Sequence, residues 1–301
     1  PSVDLIWVPC FRQRDMAAAA RYARRVGVPI IFDPLISAFD KRVNEKRKYQ
    51  ADSWRGKRLL KWERGLFNAA DRLVADTQAH KDYFHHTHGV ALDNIIVLPV
   101  SAEETLFFTG SENYTAPAVP EALFFGSFIG LQGAEFIARA VEFYQGQPLK
   151  LTLLGDGPER PACERLLAQC NNPNISVNFE DWIPFGELPD RIRSADIALG
   201  IFGVGEKSSR VIPNKAYQSL ACGLPLITMR SDAYPADLGQ EQGLFFVPPG
   251  DPQAIAEALA ACSAKLDYTL RDATAHTYQR YFSSQQIGAA LSATMAELDV
   301  K

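Results

Sequence analysis

Three basic side chains precede or enter one predicted helix: Lys207, Arg210 and Lys215. They follow the apolar run 197–202, and the helix is predicted to begin at Asn214. A helix N-terminus already carries partial positive charge, so three cations there are unfavourable unless an anion balances them. In a half of the chain that is otherwise acidic, this spacing indicates a phosphate or diphosphate site.

Two glycine-rich loops could bring backbone N–H groups to the same anion. The first is 126–133, which holds three glycines between a predicted strand and a predicted helix, and the second is Gly155-Asp-Gly-Pro158. The glycine spacing of the first loop is not that of the dinucleotide-binding fingerprint. A tight turn that binds no ligand is the alternative interpretation of each loop.

Strand-like and helix-like segments alternate along the chain, which predicts parallel sheets covered by helices on both faces. The alternation is regular over 121–265 and looser over 1–112, and the segment 109–120, with Gly, Ser and two Pro, is the predicted linker. The fold class is therefore α/β, with two Rossmann-like domains. C-terminal helices over 266–301 follow, and they could pack back on the N-terminal domain.

Composition and charge exclude several classes of protein. The net charge of −4 over 301 residues argues against general nucleic-acid binding, although residues 1–110 alone hold 17 Lys and Arg against 13 Asp and Glu. Five scattered cysteines predict reduced thiols, as in a cytoplasmic protein. Residues 85–88 include three histidines, but their spacing is not that of a zinc site, so we predict no metal.

A basic segment, 41–64, holds ten Lys and Arg against three acidic residues, together with Trp54 and Trp62. A basic helix with aromatic side chains can lie on an anionic membrane surface. The sequence therefore predicts peripheral contact with the inner face of a membrane through this segment. An ordinary solvated helix face is the alternative.

The helix after the cationic loop continues Ala-Tyr-Gln-Ser-Leu-Ala-Cys-Gly-Leu-Pro-Leu-Ile, which resembles the signature region of GT-B nucleotide-sugar glycosyltransferases of the retaining family 4 type. Further segments of the family pattern occur in the same order: Leu123-Phe-Phe-Gly-Ser-Phe128, Leu153-Leu-Gly-Asp-Gly-Pro158, Ser194-Ala-Asp196 and Val247-Pro-Pro-Gly-Asp251. The resemblance is close over 122–265 and looser over 1–110. It implies a further strand and glycine-rich loop before residue 1, so the N-terminal domain is expected to be truncated.

The resemblance implies a nucleotide-diphosphate sugar donor in the C-terminal domain, an acceptor glycan or lipid-linked sugar mainly in the N-terminal domain, no metal or other cofactor, and transfer with retention. Trp182 and Ile183 would lie against the nucleobase. Lys207 and Arg210 would also act in catalysis by stabilising the leaving diphosphate. The residues assigned to the donor are Gly126, Ser127, Gln132, Gly133, Gly155, Trp182, Ile183, Lys207, Arg210, Asn214, Lys215 and Gln218.

In the N-terminal half the resemblance points to Asp33 as a catalytic residue near the transferred sugar, with capping of the following turn as the alternative. Arg12 and Arg14 follow the first predicted strand and are candidates for binding the acceptor.

The chain departs from the family pattern at positions that normally contact the donor. Two glutamates eight positions apart fall on Arg210 and Gln218, and the basic residues of the first loop fall on Ser127 or Phe128 and on Gln132. The cationic cluster could replace the lost charges. The departures leave open two other functions: a non-catalytic partner that binds nucleotide sugars, and a nucleotide-sugar epimerase.

Overall fold

The computed structural model describes residues 3–110 and 114–300, and the α/β class with two parallel-sheet domains is confirmed. The chain divides into two compact units. The N-terminal unit runs to Pro99 and also includes the segment from Ile287 onward, and the C-terminal unit is Val100–Gln286. The predicted domain end at residue 112 lies outside the described residues.

The N-terminal unit is built on four parallel strands in the order β1-β2-β3-β4. These strands are β1 Ile6–Val8, β2 Ile30–Phe32, β3 Arg72–Ala75 and β4 Ile95–Val97. The helices between them are α1 Met16–Val26, α2 Trp54–Phe67 and α3 Gln78–His88, with a π-helical turn at Asp40–Glu45 and a 3-10 turn at Leu92–Asn94.

The C-terminal unit holds a six-stranded parallel sheet in the order β10-β9-β8-β5-β6-β7. Its strands are β5 Glu121–Phe125, β6 Leu149–Leu154, β7 Ile175–Glu180, β8 Ile197–Leu199, β9 Leu226–Met229 and β10 Leu244–Val247. Its helices are α4 Ala134–Phe143, α5 Arg160–Ala168, α6 Leu188–Arg193, α7 Asn214–Ala221, α8 Pro252–Ala264 and α9 Tyr268–Tyr281, with 3-10 turns at Ser208–Arg210 and Gln240–Gln242. The last helix of the chain is α10, Ser284–Glu297.

Capping side chains fix where two helices begin, as their sequences predict. The Thr77 hydroxyl accepts the His80 N–H at 3.1 Å, and the Asp251 carboxylate accepts the Ala254 N–H at 3.0 Å. Each cap satisfies a backbone donor that the first turn of a helix leaves without a partner. These caps set the register in which α3 and α8 present their apolar faces to the sheets.

The two predicted C-terminal helices belong to different units. Helix α9 lies in the C-terminal unit, where Tyr278 is buried in the core on one face of the sheet. The apolar side of α10 instead joins the N-terminal unit, where Ile287 and Leu291 pack with the buried residues Ile31 and Val74. Fully burying an apolar side chain contributes about 1.5–3 kcal/mol, so the half-buried Ile287 and Leu291 each contribute part of that.

The basic segment 41–64 is not one continuous helix. The π-helical turn ends at Glu45, Arg47 adopts φ = 46°, and α2 begins only at Trp54, after the Ser53 hydroxyl accepts the Gly56 N–H at 3.1 Å. A left-handed arginine interrupts a helix because its Cβ crowds the following carbonyl. Within the described residues, no helix combines the length and apolar character needed to cross a membrane.

Candidate functional site

The topological switch point of the C-terminal sheet lies between β5 and β8. After β5 the chain moves outward through β6 and β7, and it then returns to place β8 on the other side of β5. In open parallel sheets, ligands bind in the crevice outside the carboxyl ends of the strands at such a point. The loops that begin there are 126–133, one of the two glycine-rich loops, and 200–213, which holds Lys207 and Arg210.

These loops are held together by contacts that leave no room for a side chain. Gly155 has φ = 118°, and a Cβ on it would lie 2.2 Å from the Gly126 carbonyl oxygen. Gly133 has φ = 65°, and a Cβ there would lie 2.7 Å from the backbone nitrogen of Gly203. The Phe202 N–H also donates to the Gln132 carbonyl at 3.0 Å. The loops after β5, β6 and β8 therefore form one rigid surface.

Lys215 lies inside this surface, and its side chain does not project into solvent from the start of α7. The residue is 5% exposed. Its Nζ donates to Gln132 Oε1 at 2.8 Å and to the Gly200 carbonyl at 3.3 Å, and it lies 3.7 Å from the centroid of the Phe124 ring. The structure thus joins two predicted donor residues, Gln132 and Lys215, across two loops.

Burial dominates the electrostatics of Lys215. Removal from water disfavours the charged ammonium and lowers the pKa of Lys215 well below its ordinary value. The hydrogen bonds from Nζ to Gln132 and Gly200 go to two neutral oxygens, which compensate a buried charge only in part. An anion bound beside Nζ would favour the charged form and raise this pKa again.

Lys207 and Arg210 lie in the loop before α7 and not in its first turn. Lys207 precedes the 3-10 turn Ser208–Arg210, and the Ser208 hydroxyl lies 3.5 Å from the Leu131 carbonyl. The Arg210 guanidinium lies 3.7 Å from the Glu206 carboxylate, with the arginine side chain 13% exposed. Lys215 is therefore enclosed at the start of α7, while Lys207 and Arg210 belong to the loop before it.

The other predicted donor residues lie on several elements of the C-terminal unit. Trp182 follows the edge strand β7 and is 57% exposed, while Ile183 is half-buried against the core. Asn214 and Gln218 are one turn apart on α7, the first exposed and the second half-buried. Ser127 is half-buried beside Gly126. An exposed tryptophan at the carboxyl end of a strand is available for stacking on a ligand.

In the N-terminal unit, Asp33 directly follows β2. Its carboxylate accepts the Leu35 N–H at 3.2 Å, so it does cap the following turn. Burial raises the pKa of Asp33, the Leu35 hydrogen bond lowers it, and the negative charge of Asp76 raises it. A carboxyl group at this edge of the sheet that takes up a proton more readily than usual is suited to facing a polar ligand.

Arg12 and Arg14 are exposed in the loop after β1. They line a cavity of about 630 Å³ that lies wholly within the N-terminal unit. The Arg12 guanidinium lies 3.6 Å from the Asp15 carboxylate, and both side chains are about two-thirds exposed. Both arginine side chains lie at the surface and can reach a bound molecule.

Two buried acid–histidine pairs were not predicted from the sequence. His80 pairs with Asp76 one helical turn away. His88 Nε2 lies 3.1 Å from Glu63 Oε2, with both side chains fully buried. The i,i+4 spacing of Asp76 and His80 is a signal that could have revealed the first pair, whereas Glu63 and His88 are joined only by the fold. Among the described residues, no group of three or more His, Cys, Asp or Glu could hold a metal ion.

Comparison with known protein families decides what this architecture is. Residues 119–265 match the model described as "Glycosyl transferases group 1", and residues 1–101 match the "Glycosyl transferase 4-like domain". The chain is a GT-B glycosyltransferase. The family inferred from the Gly126–Gly133 and Asn214–Ile227 segments is thereby confirmed. A search of the curated proteins gave no significant match.

Solved structures share the fold of this glycosyltransferase at low sequence identity. HepE of Anabaena in complex with UDP is 14% identical with a TM-score of 0.72, covering 98% of this chain and 79% of HepE. Sucrose-phosphate synthase of Thermosynechococcus elongatus is 18% identical with a TM-score of 0.71, covering 98% and 73%. A glycosyltransferase of Rickettsia africae is 13% identical with a TM-score of 0.60, covering 98% and 97%.

Proposed function

We propose that this glycosyltransferase transfers a sugar, with retention, from a nucleotide-diphosphate donor to a glycan or lipid-linked acceptor. UDP-sugars are the first donors to test, because structures of the similar HepE hold UDP and UDP-glucose. The observation that carries the donor assignment is the buried Lys215, whose Nζ lies beside Gln132 at the switch point. We propose that the reaction requires no metal or other cofactor.

Lys215 would replace the basic residues that the first loop usually supplies to the donor phosphates. The family lysine of that loop falls on Gln132, and the Lys215 Nζ lies 2.8 Å from the Gln132 side chain. The amino group of a lysine from α7 therefore lies close to the position that the loop has lost, and a bound diphosphate would favour its charged form. Beside backbone N–H groups of the glycine loops, this amino group would bind the diphosphate.

The proposed reaction breaks the bond between the anomeric carbon of the donor sugar and a β-phosphate oxygen, and it joins that carbon to an acceptor hydroxyl oxygen. The acceptor proton passes to the leaving diphosphate, so no separate protein base is required. Negative charge grows on the diphosphate as the bond breaks. Lys207, Arg210 and Lys215 would lower the barrier by stabilising that charge, while Asp33 would position the sugar.

Binding and transfer are tested in sequence. Isothermal titration with UDP, GDP and ADP, and with their glucose conjugates, should give saturable binding to one base; no binding to any of them would overturn the donor site. Release of nucleoside diphosphate with a candidate acceptor, followed by NMR of the product, then reports turnover and anomeric configuration. Inversion would refute retention. Binding without turnover would favour a non-catalytic partner, and altered sugar stereochemistry in the free donor would favour an epimerase.

Replacing Trp182 with alanine should weaken nucleotide binding. Stacking of a base on an aromatic ring contributes about 1–3 kcal/mol, which corresponds to roughly a 5- to 150-fold loss in affinity. Trp182→Phe keeps an aromatic face and should lose much less. Trp54→Ala, an exposed tryptophan of the N-terminal unit, is the matched control and should bind as wild type. Equal affinities of Trp182→Ala and wild type would remove this residue from the base site.

The double substitution Lys207→Ala and Arg210→Ala should weaken diphosphate binding by roughly tenfold or more, because a charge-assisted hydrogen bond contributes about 1.5–3 kcal/mol. The effect should be larger for UDP than for uridine, which lacks the phosphates, and it should shrink with added salt. Lys265→Ala with Arg280→Ala removes two exposed cations elsewhere and serves as the control. An equal loss for UDP and uridine would contradict contact with the phosphates.

A further inference from the structure

The cavity of about 630 Å³ in the N-terminal unit is lined by five arginines from three separate segments. We call it the arginine pocket, and its five guanidinium groups belong to Arg12, Arg14, Arg42, Arg55 and Arg58. The first two come from the loop after β1, the third from the π-helical turn, and the last two from α2. Segments far apart in sequence thus place like charges around one concave surface.

The positive charge of the arginine pocket is poorly balanced by protein groups. Among residues 3–110 and 114–300, Asp15 is the one acidic residue that lines it. Its carboxylate lies 3.6 Å from the Arg12 guanidinium in an exposed pair, which stabilises little. Arg55 and Arg58 instead lie over the rings of Tyr49 and Trp54, at 5.9 Å and 5.1 Å from the centroids. Converging charges of one sign attract an anion to such a concavity.

The walls of the arginine pocket are fixed by packing. The Gln13 side chain donates to the Ile36 carbonyl at 3.0 Å, which joins the loop after β1 to the loop after β2. A Cβ on Gly56 would lie 2.3 Å from the Gln50 carbonyl oxygen, so the segment carrying Tyr49 lies directly on α2. Leu59, which belongs to a small buried cluster with Val43, also lines the pocket. A pocket held in this way is largely formed before a ligand arrives.

Aromatic rings accompany the arginines at the surface. Phe11 is 61% exposed and has φ = 64°, while Trp54 is 70% and Trp62 41% exposed. A left-handed φ on a bulky residue is strained and persists only where surrounding contacts impose it. Exposed ring faces can cover the apolar C–H face of a sugar, and guanidinium groups bind phosphate through paired hydrogen bonds.

We propose that the arginine pocket binds the acceptor through a phosphate-bearing sugar, which is either a free sugar phosphate or the headgroup of a lipid-linked acceptor. The assignment to the acceptor rests on the proposed glycosyl transfer. A volume of about 630 Å³ is in the ordinary range for a ligand of one or two sugar rings. The convergence of three segments on a concavity favours a sugar phosphate over a flat membrane surface.

The test measures binding to the full chain through quenching of tryptophan fluorescence, with glucose 6-phosphate, glucose and inorganic phosphate as probes. Glucose 6-phosphate should bind at least about tenfold more tightly than glucose, since a guanidinium–phosphate contact adds that much. Arg14→Glu with Arg58→Glu should reduce its affinity more than about tenfold. Arg24→Glu, on the exposed side of α1 and outside the pocket, should leave it unchanged.

Vesicles distinguish the two sources of the ligand. If phosphatidylcholine vesicles carrying a polyprenyl-diphosphate-linked sugar bind while free glucose 6-phosphate does not, the ligand is a lipid-linked headgroup. Binding to sugar-free phosphatidylglycerol vesicles alone would overturn the proposal in favour of a membrane surface. Equal affinity for glucose and glucose 6-phosphate, or unchanged affinity in the double variant, would also overturn it. UDP affinity is measured in wild type and in every variant. If wild type does not bind UDP, the donor site is refuted. If UDP affinity is retained, a failure to bind the sugar phosphate concerns the arginine pocket alone.

Discussion

Replacing Lys215 with methionine is expected to lower the affinity for the nucleotide diphosphate by about 100-fold and to abolish measurable transfer. Truncating one partner of a buried charged pair typically costs about 2–5 kcal/mol of binding. The same substitution should raise the stability of the free protein by about 1 kcal/mol, because it removes a polar group whose burial is only partly compensated. For a unit of this size, that is a rise in Tm of about 2–4 °C.

The pH dependence of stability and of UDP affinity distinguishes binding of the diphosphate by Lys215 from simple packing. Burial lowers the pKa of Lys215 in the folded protein, so the folded state binds fewer protons than the unfolded state between the lowered and the ordinary value. The destabilisation by Lys215 is therefore complete below the lowered pKa and fades as the pH rises toward 10.5. A bound diphosphate raises this pKa, so wild-type affinity should fall as the pH rises through the lowered value.

Calorimetric titration with UDP across pH measures the change in affinity, and thermal melts measure the change in stability. Lys215→Met should lose this component of the pH dependence together with its affinity. Lys265→Met changes an exposed lysine of the same unit and should alter neither quantity. If Lys215→Met binds UDP like wild type at neutral pH, the assignment of the buried ammonium to the phosphates is wrong.

Replacing Glu63 with alanine is expected to destabilise the N-terminal unit by about 3–5 kcal/mol, because each buried hydrogen-bonding group left without its partner costs about 1–3 kcal/mol. The fully buried Glu63 carboxylate accepts hydrogen bonds from the Ser37 hydroxyl at 2.6 Å and from the backbone N–H groups of Ala38 and Phe39 at 2.5 and 3.0 Å. It also lies 3.1 Å from His88 Nε2. Alanine would leave all four groups, three of them on buried residues, without this partner.

Urea unfolding followed by tryptophan fluorescence measures the loss, since Trp54 and Trp62 report on the N-terminal unit. Glu63→Gln keeps an acceptor for the backbone donors and should lose less than Glu63→Ala. Asp4→Ala changes an exposed acid of the same unit and should unfold like wild type. A loss below about 1 kcal/mol for Glu63→Ala would show that water or rearrangement replaces the carboxylate.

The sequence predicted most of the fold because hydrophobic periodicity and caps are local signals. Helix α7 begins at Asn214 as predicted. The loops after β5, β6 and β8, each of which contains glycine, also lie at the carboxyl ends of strands. Parallel sheets place such loops at one edge, so their grouping follows from the strand order alone.

What the sequence could not give was the environment of single side chains. The sequence assigned Lys215 to the donor phosphates but did not predict that its Nζ contacts Gln132, which lies 83 residues earlier in the chain. The spacing of the three histidines within 85–88 indicated only that they do not form a zinc site. His88 is instead buried against Phe67 and Glu63, while His86 is exposed. Contacts between distant segments decide burial, and spacing along one segment does not report them.

Helix α10 has a consequence for the order in which the protein can be completed during synthesis. Its apolar residues Ile287 and Leu291 cover the face of the N-terminal sheet that carries Ile31 and Val74. A ribosome makes these residues only after the whole of the C-terminal unit. The N-terminal unit is therefore the first to emerge from the ribosome and the last to complete its core. Until α10 has been made, one apolar face of its sheet stays uncovered, and such a surface is one that chaperones bind.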